Sequence, residues 1–365
     1  MKNSARLPRR PVCFTIPQLL TVLIVILAGL AYGASSGFKI TPLPLPGAQG
    51  LVMLDYFAYD RNSRLLWVPA ANTGSVDVID TTTDQIKRIE GFTVAEVEFR
   101  GKPRAMGASS VAIGDGVAYI GSRADSKICV IDAHTLKLVN CIEFAPRSAG
   151  LASAPDGLIY IAATKELWAT SGAPPVGVPA AEKAIKILSA SPPTNPAPAG
   201  KIPLPGSAEG YAVDNAHGRF YTNLEELGQT IAIDVKKREV VAKWRSCEDP
   251  SGVAVDSKRG FVFVACGDHV IVLDTAHEGK IVGSVATGAG VDNIDYAEET
   301  GLLYVAAQDA AQLTIARIDD SGKPVVVAVV VTAKGARSVV AGEGGRAYLI
   351  DPLRGQILKV EPRNK

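Results

Sequence analysis

DYFAYDRNSRLLWVPAANTGSVDVID, residues 55–80, and SGVAVDSKRGFVFVACGDHVIVLD, residues 251–274, are two copies of one pattern. Each reads as a short apolar strand, a turn, a second apolar strand, a loop, and a third strand that closes on an acid. The closing motif recurs as ICVID at Asp132, IKILS at Ser189, IAID at Asp234, IVLD at Asp274, ARID at Asp319 and LKVE at Glu361. From Asp80 onward the spacings are 52, 57, 45, 40, 45 and 42 residues. A unit of four short strands at this period is the signature of a β-propeller. The Val- and Ile-rich strands lack a 3.6-residue period, so a helical or doubly wound α/β fold is excluded. The sequence therefore predicts an all-β, seven-bladed propeller with four-stranded blades, and the two long spacings predict insertions.

The seventh unit stops after its third strand. FKITPLPLPG from Phe38 echoes GKIPLPG from Gly200, the outer strand of the third unit. The N-terminal strand is thus expected to complete the last blade and close the ring, leaving no open sheet edge between the two ends of the chain. The aspartates that end the third strands sit in Asp-x-x-Thr turns such as Asp80–Thr83 and Asp132–Thr135. Such side chains bond to nearby backbone, so these acids are structural.

Residues 1–36 read as an export signal or a retained membrane anchor. Lys2, Arg6, Arg9 and Arg10 precede the apolar run Leu19–Ala31, and Gly33–Ser36 supply small residues for cleavage. Either way the positive-inside rule puts residues 37–365, read as a single propeller domain, outside the cytoplasm. The expected location is periplasmic or exported, with an inner-membrane anchor at residues 18–32 if the segment is kept. The proline-dense stretch at about 171–200 reads as surface insertions in the third blade. The 365 residues are 47% hydrophobic, enough for a large core. A net charge of +1 predicts no strong field for nucleic acid or a membrane surface. Cys129 and Cys141 flank a hairpin symmetrically about Thr135, so they can pair across it or remain free, because the sequence leaves the register open.

The Asp-terminated strands resemble the YVTN-repeat family of exported bacterial, WD40-like propellers, and in particular its YncE-like branch. The resemblance is closest in YTNLEE (221–226), CEDPSGVAVD (247–256), FVFVACGDHVIVLD (261–274), GAGVDNIDY (288–296) and KGARSVV (334–340). It is also visible in LDYFAYD (54–60) and HTLKLV (134–139). Two stretches depart from it: GASSVAIG (107–114) replaces a Gly-His-Gly opening, and SAGLAS (148–153) replaces a Pro-Asp-Ala opening. The resemblance implies fold and compartment, and binding of single-stranded DNA for the YncE branch. It also matches Cys247 and Cys266 to cysteines of the subfamily, which implies a disulfide between them.

Propeller ligands gather at one end of the central channel. Aligned positions before each inner strand are Asp55, Ser109, Ala149, Glu209, Ser251, Asp292 and Arg337. Residues after the second strands flank them: Asn72, Arg123, Lys165, Asn223, Glu225, Cys266, Gln308 and Arg354. The candidate ligand-binding set is Asp55, Glu209, Asn223, Glu225, Asp292 and Arg337, with no catalytic residue assigned. Three readings of it stay open. Arg337 paired with Asp292 or Glu209 can anchor a polar or anionic ligand, or an exported protein partner. Glu209, Asn223 and Asp292 can form an oxygen cup for Ca²⁺ or another divalent cation, resembling lactonase propellers and their ester hydrolysis. Or the charges simply satisfy one another around a wet channel. No HxH, HExxH, Gly-x-Ser-x-Gly, CxxCH or phosphate-loop motif occurs, so zinc, serine-hydrolase, c-type haem and phosphate-loop chemistry are not expected; the binding reading leads, and the lactonase-like hydrolase is the alternative function. No cofactor is required by the leading reading, and a monomer is expected.

Overall fold

The second strand of several units is apolar at nearly every step rather than every other step, and the structure explains why. Leu65–Ala70, Val117–Ser122, Leu302–Ala307 and Ala347–Asp351 are buried at nearly every position. Strands covered on both faces by neighbouring sheets carry continuous hydrophobic runs. The outer strands face water on one side and alternate instead; EVVAKWR at Glu239–Arg245 is exposed at every second residue.

The structure, a computed structural model, describes residues 37–99, 102–146, 154–171 and 183–363. The signal or anchor segment 1–36, Ala149 and part of the proline-rich stretch (172–182) lie outside the described residues. Among those described, no helix is long and apolar enough to cross a membrane.

The strands form six antiparallel blade sheets arranged in a ring. Sheet I comprises Ala58–Asp60, Leu65–Ala70, Ser75–Asp80 and Ile86–Glu90. Sheet II comprises Ala108–Gly114, Val117–Ser122, Lys127–Asp132 and Lys137–Glu143. Sheet III comprises Pro155–Ile161, Glu166–Ser171, Ala184–Ser189 and Ala197–Pro203. Sheet IV comprises Ala208–Asp214, Arg219–Leu224, Gln229–Asp234 and Glu239–Arg245. Sheet V has six strands: Val253–Asp256, Phe261–Asp274, Lys280–Ala297, Leu302–Ala307, Gln312–Ile318 and Pro324–Val331. Sheet VI comprises Val339–Ala341, Ala347–Asp351, Gln356–Pro362 and, from the other end of the chain, Phe38–Pro44.

Six blades correct the seven expected from the repeat. The difference lies in sheet V, where two repeat units share one sheet. Phe261–Asp274 runs unbroken for 14 residues and Lys280–Ala297 for 18, and Gly267 pairs with Val291 where one unit passes into the next. Equal spacing in sequence counts units; it does not reveal whether hydrogen bonds continue between them. Apolar clusters fill each boundary. One joins Trp67 and Val78 of sheet I to Ile120 and Ile131 of sheet II, and another joins Leu349 and Val360 of sheet VI to Leu313 and Val330 of sheet V.

Ring closure follows the expected route. Phe38–Pro44 pairs antiparallel with Gln356–Pro362, from Phe38 opposite Pro362 to Pro44 opposite Gln356. Leu43 and Leu45 bury against Ile350 and Ile357. The 52-residue spacing is explained by a separate hairpin, Ala95–Phe99 with Lys102–Met106, between sheets I and II.

The turn aspartates do what the repeat suggests. Asp80 Oδ1 accepts from the Thr82 amide (2.8 Å) and hydroxyl (2.6 Å), and Asp132 Oδ1 from the Thr135 amide (2.7 Å). These hydrogen bonds hold both carboxyls below the usual range. Cys129 faces Cys141 across neighbouring strands of sheet II and is bonded to it; Cys247 is bonded to Cys266, tying the chain leaving sheet IV to sheet V. Two disulfides fit an oxidising, exported location.

Replacing Cys247 and Cys266 by alanine should cost about 2–4 kcal/mol, because a loop of this size loses that much denatured-state entropy when cross-linked. Urea unfolding, compared with the wild-type protein under non-reducing conditions, measures it.

Candidate functional site

One end of the channel is built from hydrogen bonds that tie each unit to the next. The Tyr56 amide donates to Ser109 O (3.1 Å), the Gly252 amide to Asp292 O (2.7 Å), and the Asn293 amide to Arg337 O (3.1 Å). In each case the donor follows one aligned position and the acceptor is the next aligned position. Asp55, Ser109, Ser251, Asp292 and Arg337 are therefore structural equivalents, as the repeat alignment expects.

A register shift at the start of the inner strands turns the chain at this lip. It occurs between Ala108 and Ser110, Pro155 and Leu158, Glu209 and Tyr211, and Val291 and Ile294. Bulges of this kind re-aim side chains, here toward the channel. Two glycines are required. A Cβ on Gly210, at φ +62°, would lie 2.2 Å from Ser251 O, and one on Gly157 would lie 2.3 Å from the Tyr211 ring.

The result is a cavity of about 850 Å³ at the channel mouth, walled by Asp55, Tyr56, Asp156, Glu209, Asp292 and Arg337, with Arg123 on its rim. Arg337 bridges two acids, with Nη2 2.9 Å from Asp55 Oδ1 and Nη1 3.1 Å from Asp292 Oδ2. Arg123 Nη1 lies 2.7 Å from Asp156 Oδ1. Glu209 has no such cation; Tyr56 donates its hydroxyl to Glu209 Oε1 (3.1 Å), and the Tyr56 ring stacks on Tyr211 with centroids 5.5 Å apart. Lys102 and Arg104 of the hairpin reach the rim of the same cavity.

Four carboxyl groups thus stand against the guanidinium groups of Arg337 and Arg123, and burial raises two of them. Burial pushes Asp55 up to about 6 against the pull of Arg337. Burial pushes Glu209 up to about 8, with Asp156 and Asp292 adding to the effect, so it carries its proton at neutral pH. Asp55 above all, and then Asp292, hold Arg337 firmly charged.

The structure brings Asp55, Glu209, Asp292 and Arg337 together and leaves Asn223 and Glu225 out. Asn223 pairs with Glu209 across the sheet but is fully buried. Its Nδ2 donates to Ser251 O (2.6 Å) and its Oδ1 accepts from the Thr230 hydroxyl (2.7 Å). Glu225 lies in a separate shallow pocket with Glu226, Glu248 and Asp249. Among flanking residues, Asn72, Arg123 and Gln308 line the mouth, whereas Cys266 is consumed by its disulfide. Lys165 lies in the turn that precedes Glu166–Ser171 and pairs with Asp115 at 3.4 Å.

The third unit explains that misplacement. Its inner strand begins at Pro155, so Asp156 occupies the mouth where the sequence alignment puts Ala149. The Pro155-Asp156-Gly157 triplet, a turn signal directly before an apolar run, marked it. Tyr56 and Tyr211 were missed because aromatic residues inside a strand pattern read as core.

The donor set does not suit a hard cation. Asn223 has both ends of its amide engaged within the wall, and Asp292 is committed to Arg337. Among the described residues, no group of three or more His, Cys, Asp or Glu side chains is placed to hold a metal.

No family model matches the chain, and no curated protein matches it in sequence. The solved structures it resembles are propellers. The β-propeller domain of Swd1 from Myceliophteria thermophila has a TM-score of 0.65 at 10% identity, covering 89% of this chain and 99% of its own. Streptogramin B lyase has a TM-score of 0.62 at 12% identity, covering 90% and 98%. Kuenenia stuttgartiensis hydrazine synthase has 0.64 at 13%, covering 86% and 98%. At such identities the likeness establishes the β-propeller fold alone.

Two outcomes follow from the wall's electrostatics. Arg337→Ala strands Asp55 and Asp292 without their cation and should cost about 1–3 kcal/mol at pH 7, a buried-pair loss discounted for partial exposure, and less at pH 5 as Asp55 gains its proton. Glu209 is raised above its unfolded value of 4.5, so its contribution is fully present below that pH and is lost as pH rises through about 8. Glu209→Gln should therefore gain stability relative to the wild type between pH 5 and pH 8.5, read from thermal midpoints at both values.

Proposed function

We propose that this protein is an exported, YncE-like periplasmic binding module that takes a small polar ligand at the channel mouth and performs no chemistry on it. The single observation that carries this reading is the cavity in which four inward carboxyl groups meet two arginines. Such a wall is preorganised by its ion pairs and backbone lip, and inside the rim that carries Lys102 and Arg104 its Glu209 corner holds no cation. A ligand with an amine or guanidinium group supplies what is missing, and the Tyr56 face offers it a cation–π surface.

The resemblance to exported propellers, the two disulfides and the propeller neighbours support the compartment and the scaffold. Arg337 is already held by two acids, which disfavours an anionic ligand. The lactonase alternative draws no support, because Asn223 and Asp292 are engaged elsewhere.

The test is calorimetric titration with agmatine and spermidine as cationic probes and galacturonate as the anionic control. Agmatine or spermidine should bind, and Asp156→Asn or Glu209→Gln should weaken binding. At roughly a hundred times Kd, bound probe should raise stability by about 2.7 kcal/mol. A cation beside Glu209 favours its ionised form, so affinity should increase from pH 6 to about 8, with proton release, and level off above that. Tighter binding of galacturonate than of either cation would contradict the reading.

A further inference from the structure

Outer strands of a propeller present unpaired backbone groups to solvent, and most of those here are guarded. Ile86–Glu90 carries Lys87, Arg88 and Glu90, and Lys137–Glu143 carries Lys137 and Glu143. Ala197–Pro203 has Pro198 and Lys201; Glu239–Arg245 has Glu239, Lys243 and Arg245; Phe38–Pro44 has Lys39 and Pro42. Charge and proline at an edge prevent a foreign strand from adding.

Pro324–Val331, the outer strand at the end of sheet V, is the exception. Its sequence is PVVVAVVV, with no charged residue and its only proline in the first position. Ala328 and Val330 pack inward toward sheet VI. Val325, Val327, Val329 and Val331 face out, exposed by 57%, 46%, 44% and 47%, and Val326 is exposed as well. Val327 sits at the bulge that the neighbouring outer strands share, which bends the edge but adds no charge. An exposed apolar edge of this length is a surface awaiting a partner.

We infer that this valine strand is a self-association surface, with the outer strands of two copies laid antiparallel about a two-fold axis. Charge placement selects a second copy. The segment after Pro324, VVVAVVV, reads the same in both directions, so a two-fold contact sets Ala328 against Ala328 at its centre and valine against valine on either side. Beyond the strand, the turn before it carries exposed Asp319 and Asp320 with Lys323, Asp320 lying 3.5 Å from Arg259 with its side chain fully exposed, while Lys334 is exposed just after it. Antiparallel placement brings Lys334 of each copy to the acidic turn of the other. One strand face per copy is a small contact, at the low end of specific interfaces and below about 1,200 Å² in total, so the dimer is weak and concentration-dependent. This departs from the monomer expected from the sequence.

Sedimentation velocity of the full-length chain over a range of concentrations tests it. The wild-type protein should shift toward a dimer, and Val329→Lys should weaken association by about tenfold or more, because a lysine must be desolvated against valine. Val241→Lys, at an exposed position of the Glu239–Arg245 strand, should leave association unchanged. Asp320→Lys and Lys334→Asp should each weaken it and together restore it, a pattern that surface substitutions without a fold defect can report. A wild-type chain monomeric throughout, a dimer indifferent to Val329→Lys, or a charge swap without restoration would each overturn the inference, as would a valine strand found to hold another protein instead.

Discussion

The mouth of this propeller depends on one backbone constraint: at three of the unit boundaries the amide after an aligned position donates to the carbonyl of the next unit. Three such bonds, from Tyr56, Gly252 and Asn293, define the lip of the channel. At two other boundaries the units approach as closely, so that Gly210 and Gly157 cannot carry a Cβ without moving backbone or the Tyr211 ring. Bulges at the start of the inner strands turn Asp156, Glu209 and Asp292 inward. The acidity of the mouth is therefore a consequence of how neighbouring units are joined, and the site is formed when the ring closes.

Because the lip is fixed by backbone, its side chains meet whether or not their charges balance. Arg337 serves Asp55 and Asp292, Arg123 serves Asp156, and Glu209 is left with the Tyr56 hydroxyl. The wall lowers its own electrostatic cost by keeping a proton on Glu209 rather than by adding a cation. Burial holds that proton on Glu209, and a counter-charge brought beside it favours its release.

Much of the architecture was legible because local patterns carried it. The Asp-terminated third strands located the turns, and the Phe38 segment identified its own partner by echoing the outer strand at Gly200. Asp55, Asp292 and Arg337 could be found because repeat alignment places equivalent residues at equivalent heights. The blade count was not legible: continuity through Gly267 and Val291 is a matter of long-range hydrogen bonding that periodicity does not encode. Asp156 was missed through a slip in the most divergent unit, and a slip of a few residues changes which side chain reaches the channel. Asn223 had the right position and the wrong role, since only the fold shows Ser251 O and Thr230 occupying both ends of its amide.

The central claim is that the channel mouth is a built polar site lacking one positive charge. A crystal structure of the protein soaked with agmatine tests it most directly. The account predicts guanidinium or amine density between Glu209, Asp156 and the Tyr56 ring, with the Arg337 bridge to Asp55 and Asp292 intact. Agmatine bound only at the surface acids Glu225, Glu226, Glu248 and Asp249, with the mouth empty, would contradict it.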